Sequence, residues 1–367
     1  MNIVGVNISH DTSVCLMQDG KIIFYLEEER LCKIKSYVIE DTRTPIQTLS
    51  KLKKYINHID YLIITTFGRK LQDNLNYDFI IGEKIVNELL RLNLTFDKVI
   101  LDAESHHLHH AYNAFYFSGF ESAVALVMDN SGSLLANYSE NENNTLIRAR
   151  EIESIYRFDN NSYKKIFKHY STFSNIRWHK ELNYKLLNEL GDVVSNGTSV
   201  GFLFSFVTQA LLGLHYLGEG TTMGMSSYGD LDKEKTEWFS EYENNVLFDC
   251  TFLADLAISK IYLSASFKEQ ADFAKKLQYE TKKYTMRLIQ KAIDLSGSNN
   301  VVLSGGFFQN CVNNYAYLKA FPNVNFYVDP ICYDGGTAIG ACLYVWHNIL
   351  GNPNTLQKFD NLYLGPR

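Results

Sequence analysis

The histidine-rich segment 106–110 (HHLHH) is the densest group of potential metal ligands in the sequence. If this segment is helical, His106 and His110 lie four residues apart on one face, and that spacing allows two imidazoles to reach one ion. The alternative is a polar helix face whose histidines bond to the backbone or to water. The spacing fits both interpretations, so further ligands elsewhere in the chain bear on the choice.

Two aspartates supply such ligands. Asp129 ends the apolar segment SAVALVMD, which predicts a buried strand, and Asp334 lies in YDGGTAIG just before the last predicted helix. Carboxylates at strand tips in a two-lobed fold face the cleft. Two imidazoles and two carboxylates suit a divalent ion such as Fe²⁺, Mn²⁺ or Zn²⁺ and leave positions for substrate oxygens. Either aspartate could instead be a helix N-cap.

Short glycine-containing segments are candidates for nucleotide binding. Gly305 and Gly306 follow the predicted strand VVLS and precede a helix, with Asn310 four residues later. Glycines in this position let the backbone approach a base or a phosphate, although a plain tight turn has the same composition. Ser131 and Gly132, in the strand-tip segment MDNSGS, are predicted to bind the same nucleotide.

Three polar residues are candidates for proton transfer or charge stabilisation. His10 and Asp11 lie in the first strand-tip loop, where the pair could orient or deprotonate a hydroxyl or simply hydrogen-bond the turn. Glu219, in the segment GEGT, is a second candidate general base. Lys35 follows the acidic run EEER, which by itself is typical of a solvated surface.

The elements that must position these residues form two similar halves. Each half begins with a strand followed by polar residues, NISHDTS in the first and MDNSGS in the second. The pattern predicts an α/β fold with one lobe at 1–120 and another at 121–367. Within the second lobe we expect an inserted surface excursion near 157–197, a long amphipathic helix at about 268–295 and a closing helix at about 335–350.

Composition excludes several classes of protein. The 367 residues are 46% apolar and 21% charged, which excludes a disordered or collagen-like chain. The net charge of −6 disfavours nucleic acid as a partner. Six cysteines without a C-x-x-C pair indicate reduced thiols. Because no apolar run approaches the roughly 20 residues of a membrane span, we expect a soluble cytoplasmic protein.

Eight segments, in order along nearly the whole chain, resemble the nodulation-factor and antibiotic-tailoring family of O-carbamoyltransferases. The matching segments are GVNISHDTSVCLMQDGKI, LEEERLCKIK, HHLHHAYNAFYFSGFESAVALVMDNSGS, TSVGFLFSFVT, GEGTTMGMSSYG, ADFAKKLQ, LSGGFFQNCVNN and YDGGTAIGACLY. The resemblance implies the two-lobed fold of the actin-like and sugar-kinase ATPases, with duplicated βββαβαβα lobes. It also implies a relation to the domain that transfers threonylcarbamoyl to tRNA.

The resemblance further implies a reaction. The family binds carbamoyladenylate against an iron(II) ion and passes the carbamoyl group to an acceptor hydroxyl. Its metal ligands correspond to His106, His110, Asp129 and Asp334, and its adenosine-binding residues correspond to Gly305, Gly306 and Asn310. His10 matches a position that faces the carbamoyl group, and Lys35 matches a basic position near it, where it could stabilise a developing oxyanion.

The sequence departs from the family in ways that affect its partners. Relatives continue after a Leu-Gly-Pro into a YrdC-like domain that makes carbamoyladenylate from carbamoyl phosphate and ATP, whereas this sequence ends at Arg367. We therefore expect that the sequence is a fragment, that a separate chain supplies the activating step, or that the protein has lost it. A lysine usual after Gly-Glu-Tyr is absent from Gly218-Glu219-Gly220-Thr221.

The leading hypothesis is thus metal-assisted carbamoyl transfer to a small-molecule or sugar hydroxyl. The alternatives are carbamoylation of a nucleic acid and a non-catalytic nucleotide-binding domain that regulates a partner. The sequence leaves the acceptor and the oligomeric state open, a homodimer included.

Overall fold

The computed structural model contains two large β-sheets, with helices packed on and between them, and a separate two-stranded hairpin. It describes residues 1–39, 47–68, 77–135, 149–160, 162–172, 184–187, 191–214, 217–231, 238–242, 245–248, 266–354, 361–362 and 364–365. The first sheet is formed by β1 (Asn2–Asn7), β2 (Ser13–Gln18), β3 (Lys21–Glu27), β4 (His58–Thr65) and β5 (Thr95–Asp102), in the order β3-β2-β1-β4-β5. The predicted turn at Asp19-Gly20 joins β2 to β3, with φ positive at both residues.

The helices of this part of the chain are α1 (Glu29–Cys32), α2 (Gln47–Leu52), α3 (Tyr77–Arg91) and α4 (His106–Ser118). The α4 helix is buried along its whole length. The histidine-rich segment predicts a helix at about 104–117, and α4 lies against strands of the second sheet and against the last helix of the chain. Because the whole of α4 is buried, its four histidines lie in the interior of the fold.

The second sheet repeats the order of the first. The remaining strands are β6 (Ser122–Met128), β7 (Leu134–Leu135), β8 (Ala149–Asp159), β9 (Ser162–Ser171), β10 (Tyr184–Leu186), β11 (Val193–Ser195), β12 (Phe239–Tyr242), β13 (Asn245–Phe248), β14 (Asn300–Ser304) and β15 (Asn325–Val328). The sheet runs β10-β11-β9-β8-β6-β14-β15, with β7 paired to β8, while β12 and β13 form a separate hairpin. Thus β9-β8-β6-β14-β15 corresponds to β3-β2-β1-β4-β5, antiparallel on one side of the central strand and parallel on the other.

The predicted surface insertion near 157–197 is wrong for its first part. The β8 strand continues through Asp159, and β9 pairs antiparallel with it inside the sheet. Two register shifts interrupt the period-2 alternation of this pair. In addition, Lys165 and Lys168 pair with the acidic residues Asp192 and Glu151, so lysines that suggest an exposed segment lie within a strand. Residues 173–183 and 188–190 lie outside the described residues.

The remaining helices are α5 (Val200–Phe206), α6 (Glu219–Met225), α7 (Phe267–Ser296), α8 (Cys311–Ala320) and α9 (Thr337–Tyr344). The α7 helix is the long amphipathic helix expected at 268–295. It begins with a capping box between Ser266 and Glu269 and ends at Gly297, whose φ of +65° closes the helix. Among the described helices none has the length and apolarity needed to cross a membrane.

The last helix, α9, packs on the first sheet rather than within the second lobe. A Cβ on Gly340 would lie 1.9 Å from the carbonyl oxygen of His109, and a Cβ on Gly5 would lie 2.1 Å from that of Ala338. The two glycines therefore allow α9 to approach α4 and β1 at backbone distance. Because of this contact, the expected lobe boundary at residue 121 does not apply to α9. This helix lies near the end of the sequence and packs against strands from its beginning.

We predict that Gly340→Ala destabilises the protein by about 3 kcal/mol, because its methyl group must push α9 away from α4. The control is Gly224→Ala, since a Cβ at Gly224 in α6 meets nothing within 4 Å. Chemical denaturation of both variants measures the difference. Equal stabilities would contradict the close packing described here.

The buried imidazole of His347 makes stability depend on pH. Its ring stacks on Tyr116 at 3.8 Å between centroids, and its Nδ1 lies 2.9 Å from the carbonyl oxygen of Asn352. Burial lowers the pKa of His347 to about 4, whereas an unfolded histidine has a pKa of about 6.5. The unfolded state therefore binds more protons between these values, and stability falls as the pH drops through this window.

We expect protonation of His347 to lower the free energy of unfolding by about 2 kcal/mol between pH 7 and pH 5. In His347→Phe, which keeps a stacked ring but cannot be protonated, the difference in unfolding free energy between the two pH values should shrink by that amount. The exposed His58 provides a control variant, His58→Gln. An unchanged pH dependence in His347→Phe would refute the assignment.

Candidate metal centre

Two elements place the imidazoles. The carboxylate of Asp102, at the end of β5, accepts hydrogen bonds of 3.0 Å from the amides of Glu104 and Ser105 and so forms the turn that leads into α4. The first amide of the helix, on His106, donates to Ser133 Oγ at 3.2 Å. One turn later His110 lies on the same face, as the spacing predicted.

Two loops bring the carboxylates to this face. Asp129 directly follows β6, and Asp334 lies three residues before α9. His106 Nε2 is 3.4 Å from both Asp129 Oδ2 and Asp334 Oδ1, and His110 Nε2 is 3.5 Å from the same Asp334 oxygen. All four residues are buried, and one ligand atom from each lies within 4.8 Å of the others. The structure thus brings together the four residues that the sequence predicted as metal ligands.

The donor set suits a divalent cation. An ion with bonds of about 2.1 Å separates opposite ligand atoms by about 4.2 Å, so small side-chain adjustments would close the four residues around it. Within the described residues, His106 Nδ1 and both ring nitrogens of His110 are buried without a hydrogen-bond partner. Buried polar atoms without partners are costly, and a cation would satisfy the Nε2 atom of His110.

The electrostatics of the cluster also favour a cation. Burial lowers the pKa of His106, but the charges and hydrogen bonds of Asp334 and Asp129 outweigh it and raise the pKa to about 10. Burial raises the pKa of Asp334, but His106 and His110 outweigh it and hold that pKa well below its usual range. Two adjacent carboxylates thus create a site that takes up positive charge, either a proton or a metal ion.

The predicted nucleotide loop touches this cluster. The amide of Gly306 donates to Asp129 Oδ1 at 3.2 Å. Gly305 has a φ of +101°, and a Cβ there would lie 2.1 Å from the carbonyl oxygen of Met128. On the other side of Asp129, Gly132 fits against the ring of His107, to which a Cβ would approach within 2.6 Å, while Ser131 is half-buried on the same turn.

Asn310 has its polar atoms engaged inside the protein. Its Oδ1 accepts hydrogen bonds from Gln278 Nε2 at 2.7 Å and from the amide of Asn313 at 3.1 Å, and its Nδ2 donates to Gln278 Oε1 at 3.0 Å. These bonds cap α8 and attach it to α7.

His10 lies beside the cluster. Its Nδ1 is 2.6 Å from Asp11 Oδ2, and 40% of its side chain is exposed. Burial lowers the pKa of His10, but the hydrogen bond to Asp11 and the charge of Asp334 outweigh it and raise the pKa to about 10. The turn depends on Asp11, whose φ of +60° is tolerated by aspartate better than by most residues.

Lys35 and Glu219 do not belong to the four-residue cluster found among the described residues. Lys35 Nζ donates to the carbonyl oxygen of Leu217 at 3.1 Å and thereby connects the segment after α1 to the start of α6. Glu219 is the first residue of α6. The two residues thus lie near one another along the α6 loop.

Sequence reasoning missed Arg150. Its guanidinium donates to the carbonyl oxygens of Phe67 at 2.8 Å, Gly68 at 2.9 Å and Gly132 at 3.0 Å. These hydrogen bonds connect the loop after β4 to the loop after β6. Phe67, in the first of these loops, contacts the ring of His106 edge-on. In the sequence Arg150 lies in a charged segment, RAREIE, and no local signal separates it from a surface residue.

The chain is similar to curated proteins over nearly its whole length. The chain is 25% identical over 395 residues to the uncharacterised Synechocystis protein sll1178, covering 98% of this chain and 59% of the relative. It is 22% identical over 381 residues to the nodulation protein NolNO of Sinorhizobium fredii, covering 97% of this chain and 49% of the relative. The chain thus spans about half the length of these curated relatives.

The fold is shared with a solved structure. The crystal structure of full-length HypF in a phosphate- and nucleotide-bound form matches 97% of this chain and 56% of its own, with a TM-score of 0.53 and 16% identity. Together with the duplicated strand order, this match confirms the two-lobed actin-like fold. The family model described as carbamoyltransferase N-terminus matches residues 52–343. The chain therefore belongs to the carbamoyltransferase family.

Proposed function

We propose that this chain transfers a carbamoyl group from carbamoyladenylate to a hydroxyl of a small molecule or sugar. The observation that carries the proposal is the convergence of four buried ligand atoms from α4 and two loops, in a member of the carbamoyltransferase family. The nodulation protein NolNO is among its relatives. The acceptor is assigned only to its chemical class, an alcohol.

The glycine loop supports a nucleotide donor. Gly305 and Gly306 carry no side chain that would cover the loop, and the amide of Gly306 already faces the carboxylate of Asp129. A nucleotide bound along this loop would lie beside the metal ligands. The HypF structure of the same fold was solved with nucleotide and phosphate bound. We propose that carbamoyl phosphate and ATP are converted to carbamoyladenylate by a YrdC-like domain acting as a partner.

Bound to His106, His110, Asp129 and Asp334, Fe²⁺, or alternatively Zn²⁺ or Mn²⁺, would act as a Lewis acid on the adenylate phosphate. In the transfer, the acceptor oxygen attacks the carbamoyl carbon, the bond from that carbon to the phosphate oxygen breaks, and AMP leaves. The acceptor proton passes to a general base.

His10 is the better-placed candidate for that base. Asp11 and Asp334 raise the pKa of His10 to about 10, so its ring carries a proton while the cluster is empty. A cation bound to the cluster would offset the charge of Asp334 and lower that pKa, and Nε2 could then accept the proton of the acceptor. Glu219 is the second candidate. Lys35 lies in the segment after α1, and its ammonium could approach a developing oxyanion only after leaving the carbonyl oxygen of Leu217.

Metal binding provides the first test. We predict that the wild type binds about one Fe²⁺ per chain under anaerobic conditions, and that His106→Gln and Asp334→Asn weaken binding on the order of 100-fold or more. His107→Gln is the matched control, because His107 lies on the same helix but bonds to Ser154 at 2.8 Å. Metal content and titration calorimetry measure the effect. A wild type that takes up no ion would contradict the metal-assisted mechanism and favour a regulatory domain.

Nucleotide binding provides the second test. The metal-loaded wild type should bind ATP, and should release AMP and carbamoylate an alcohol when a separate YrdC-like domain supplies carbamoyladenylate. We expect Gly306→Ala to weaken nucleotide binding by about 10-fold, because its methyl group would lie 3.2 Å from Asp129 Oδ1. Gly220→Ala, where a Cβ has open space, is the control.

Absence of both ATP and carbamoyladenylate binding to the metal-loaded protein would refute the transferase proposal. Carbamoylation of tRNA in place of small alcohols would keep the chemistry and change the acceptor class.

A further inference from the structure

We infer that Ser9 is a positioning residue for the metal centre and orients the carboxylate of Asp334. The inference rests on the proposed metal site. Ser9 lies in the loop between β1 and β2, and its Oγ is 2.8 Å from Asp334 Oδ2. The other oxygen, Oδ1, faces the imidazoles of His106 and His110. Ser9 thus engages the carboxylate oxygen that the imidazoles leave free.

This hydrogen bond is shielded from water. Ser9 has no exposed surface, and Asp334 is 6% exposed. Hydrogen bonds to a charged acceptor are stronger than neutral ones, and a buried carboxylate that loses a donor has no solvent to replace it. The bond therefore restricts rotation of the carboxylate and keeps Oδ1 directed at the site.

Asn7 holds Ser9 in place. Asn7 Nδ2 lies within 3.2 Å of the carbonyl oxygens of His10, Asp11 and Asp334, which requires that its Oδ1 faces the other way. That Oδ1 accepts the amide of Ser9 at 2.9 Å. The Ser9 hydroxyl has one proton for Asn7 Oδ1 at 2.6 Å and Asp334 Oδ2 at 2.8 Å, and the charged carboxylate is the stronger acceptor.

The loop thereby binds both the backbone and the side chain of Asp334. Asn7 Nδ2 donates to the carbonyl oxygen of Asp334, and Ser9 Oγ donates to its carboxylate. Ser9 and Asp334 are 325 residues apart in the sequence. Hydrogen bonds to the outer oxygen of a ligand commonly change metal affinity by about 10- to 100-fold when they are removed. Ser9 has this relation to the proposed ligand Asp334.

The test compares two serines of the same loop region. We expect Ser9→Ala to raise the Kd for Co²⁺ by about 10-fold and to change the visible absorption of the Co²⁺-loaded protein, with the stoichiometry still about one. Ser13→Ala is the matched control, because Ser13 is equally buried but donates to the backbone carbonyl of Gly335 at 2.7 Å. Ser9→Thr, which retains the hydroxyl, should restore the wild-type Kd.

The outcomes separate the two proposals. Wild-type affinity in Ser9→Ala, or equal losses in Ser9→Ala and Ser13→Ala, would overturn the role of Ser9 while leaving a metal-binding wild type intact. A wild type that binds neither Co²⁺ nor Fe²⁺ would overturn the metal site and this inference with it. If Ser9→Ala does not fold by circular dichroism, Ser9→Cys, whose thiol donates weakly, takes its place with the same expectation.

Discussion

The candidate metal centre depends on the close packing of α9 against α4 and β1. Gly340 touches the backbone of His109, and His110, the next residue, is a proposed ligand. Asp334 lies three residues before α9, so the position of that helix sets the distance between the carboxylate and the imidazoles. Any side chain at Gly340 would separate the two parts of the ligand set. The packing of α9 on α4 therefore also determines the distances between the proposed metal ligands.

A second constraint is electrostatic. Two carboxylates lie within 3.4 Å of the same buried imidazole nitrogen, and burial alone would disfavour their charge. The structure surrounds them with donors: Gly306 donates its amide to Asp129, and Ser9 donates its hydroxyl to Asp334. These bonds occupy the outer carboxylate oxygens and leave the inner ones directed at the site. With neutral imidazoles, the two ionised carboxylates carry a charge equal in magnitude and opposite in sign to that of a divalent cation.

The duplicated topology explains where the polar residues meet. In each lobe the central strand, β1 or β6, lies between an antiparallel strand and a parallel strand, and the loop after it carries candidate site residues. The first loop supplies Ser9 and His10, and the second supplies Asp129 and Gly132. Arg150 joins the second loop to the backbone after β4, so the two lobes share hydrogen bonds beside the site.

Much of this arrangement could be predicted from the sequence, because it depends on local pattern. The four-residue spacing of His106 and His110 and the strand that ends at Asp129 require only helical or extended periodicity. The capped amphipathic helix α7 is also a local feature. The resemblance of ordered motifs then connected these elements to a family. The position of β9 was not predictable, since register shifts and paired lysines conceal its strand pattern.

Only the tertiary structure determines which side chains form hydrogen bonds around the proposed metal ligands. The binding of adenosine by Asn310 stays a prediction of the family resemblance, whereas its hydrogen bonds to Gln278 on α7 became visible only in the folded chain. The sequence analysis did not single out Ser9, because no local pattern distinguishes a serine that hydrogen-bonds to a carboxylate 325 residues away. Residue types and periodicity determine elements and candidate ligands, whereas hydrogen bonds between distant segments arise only when packing brings those segments together.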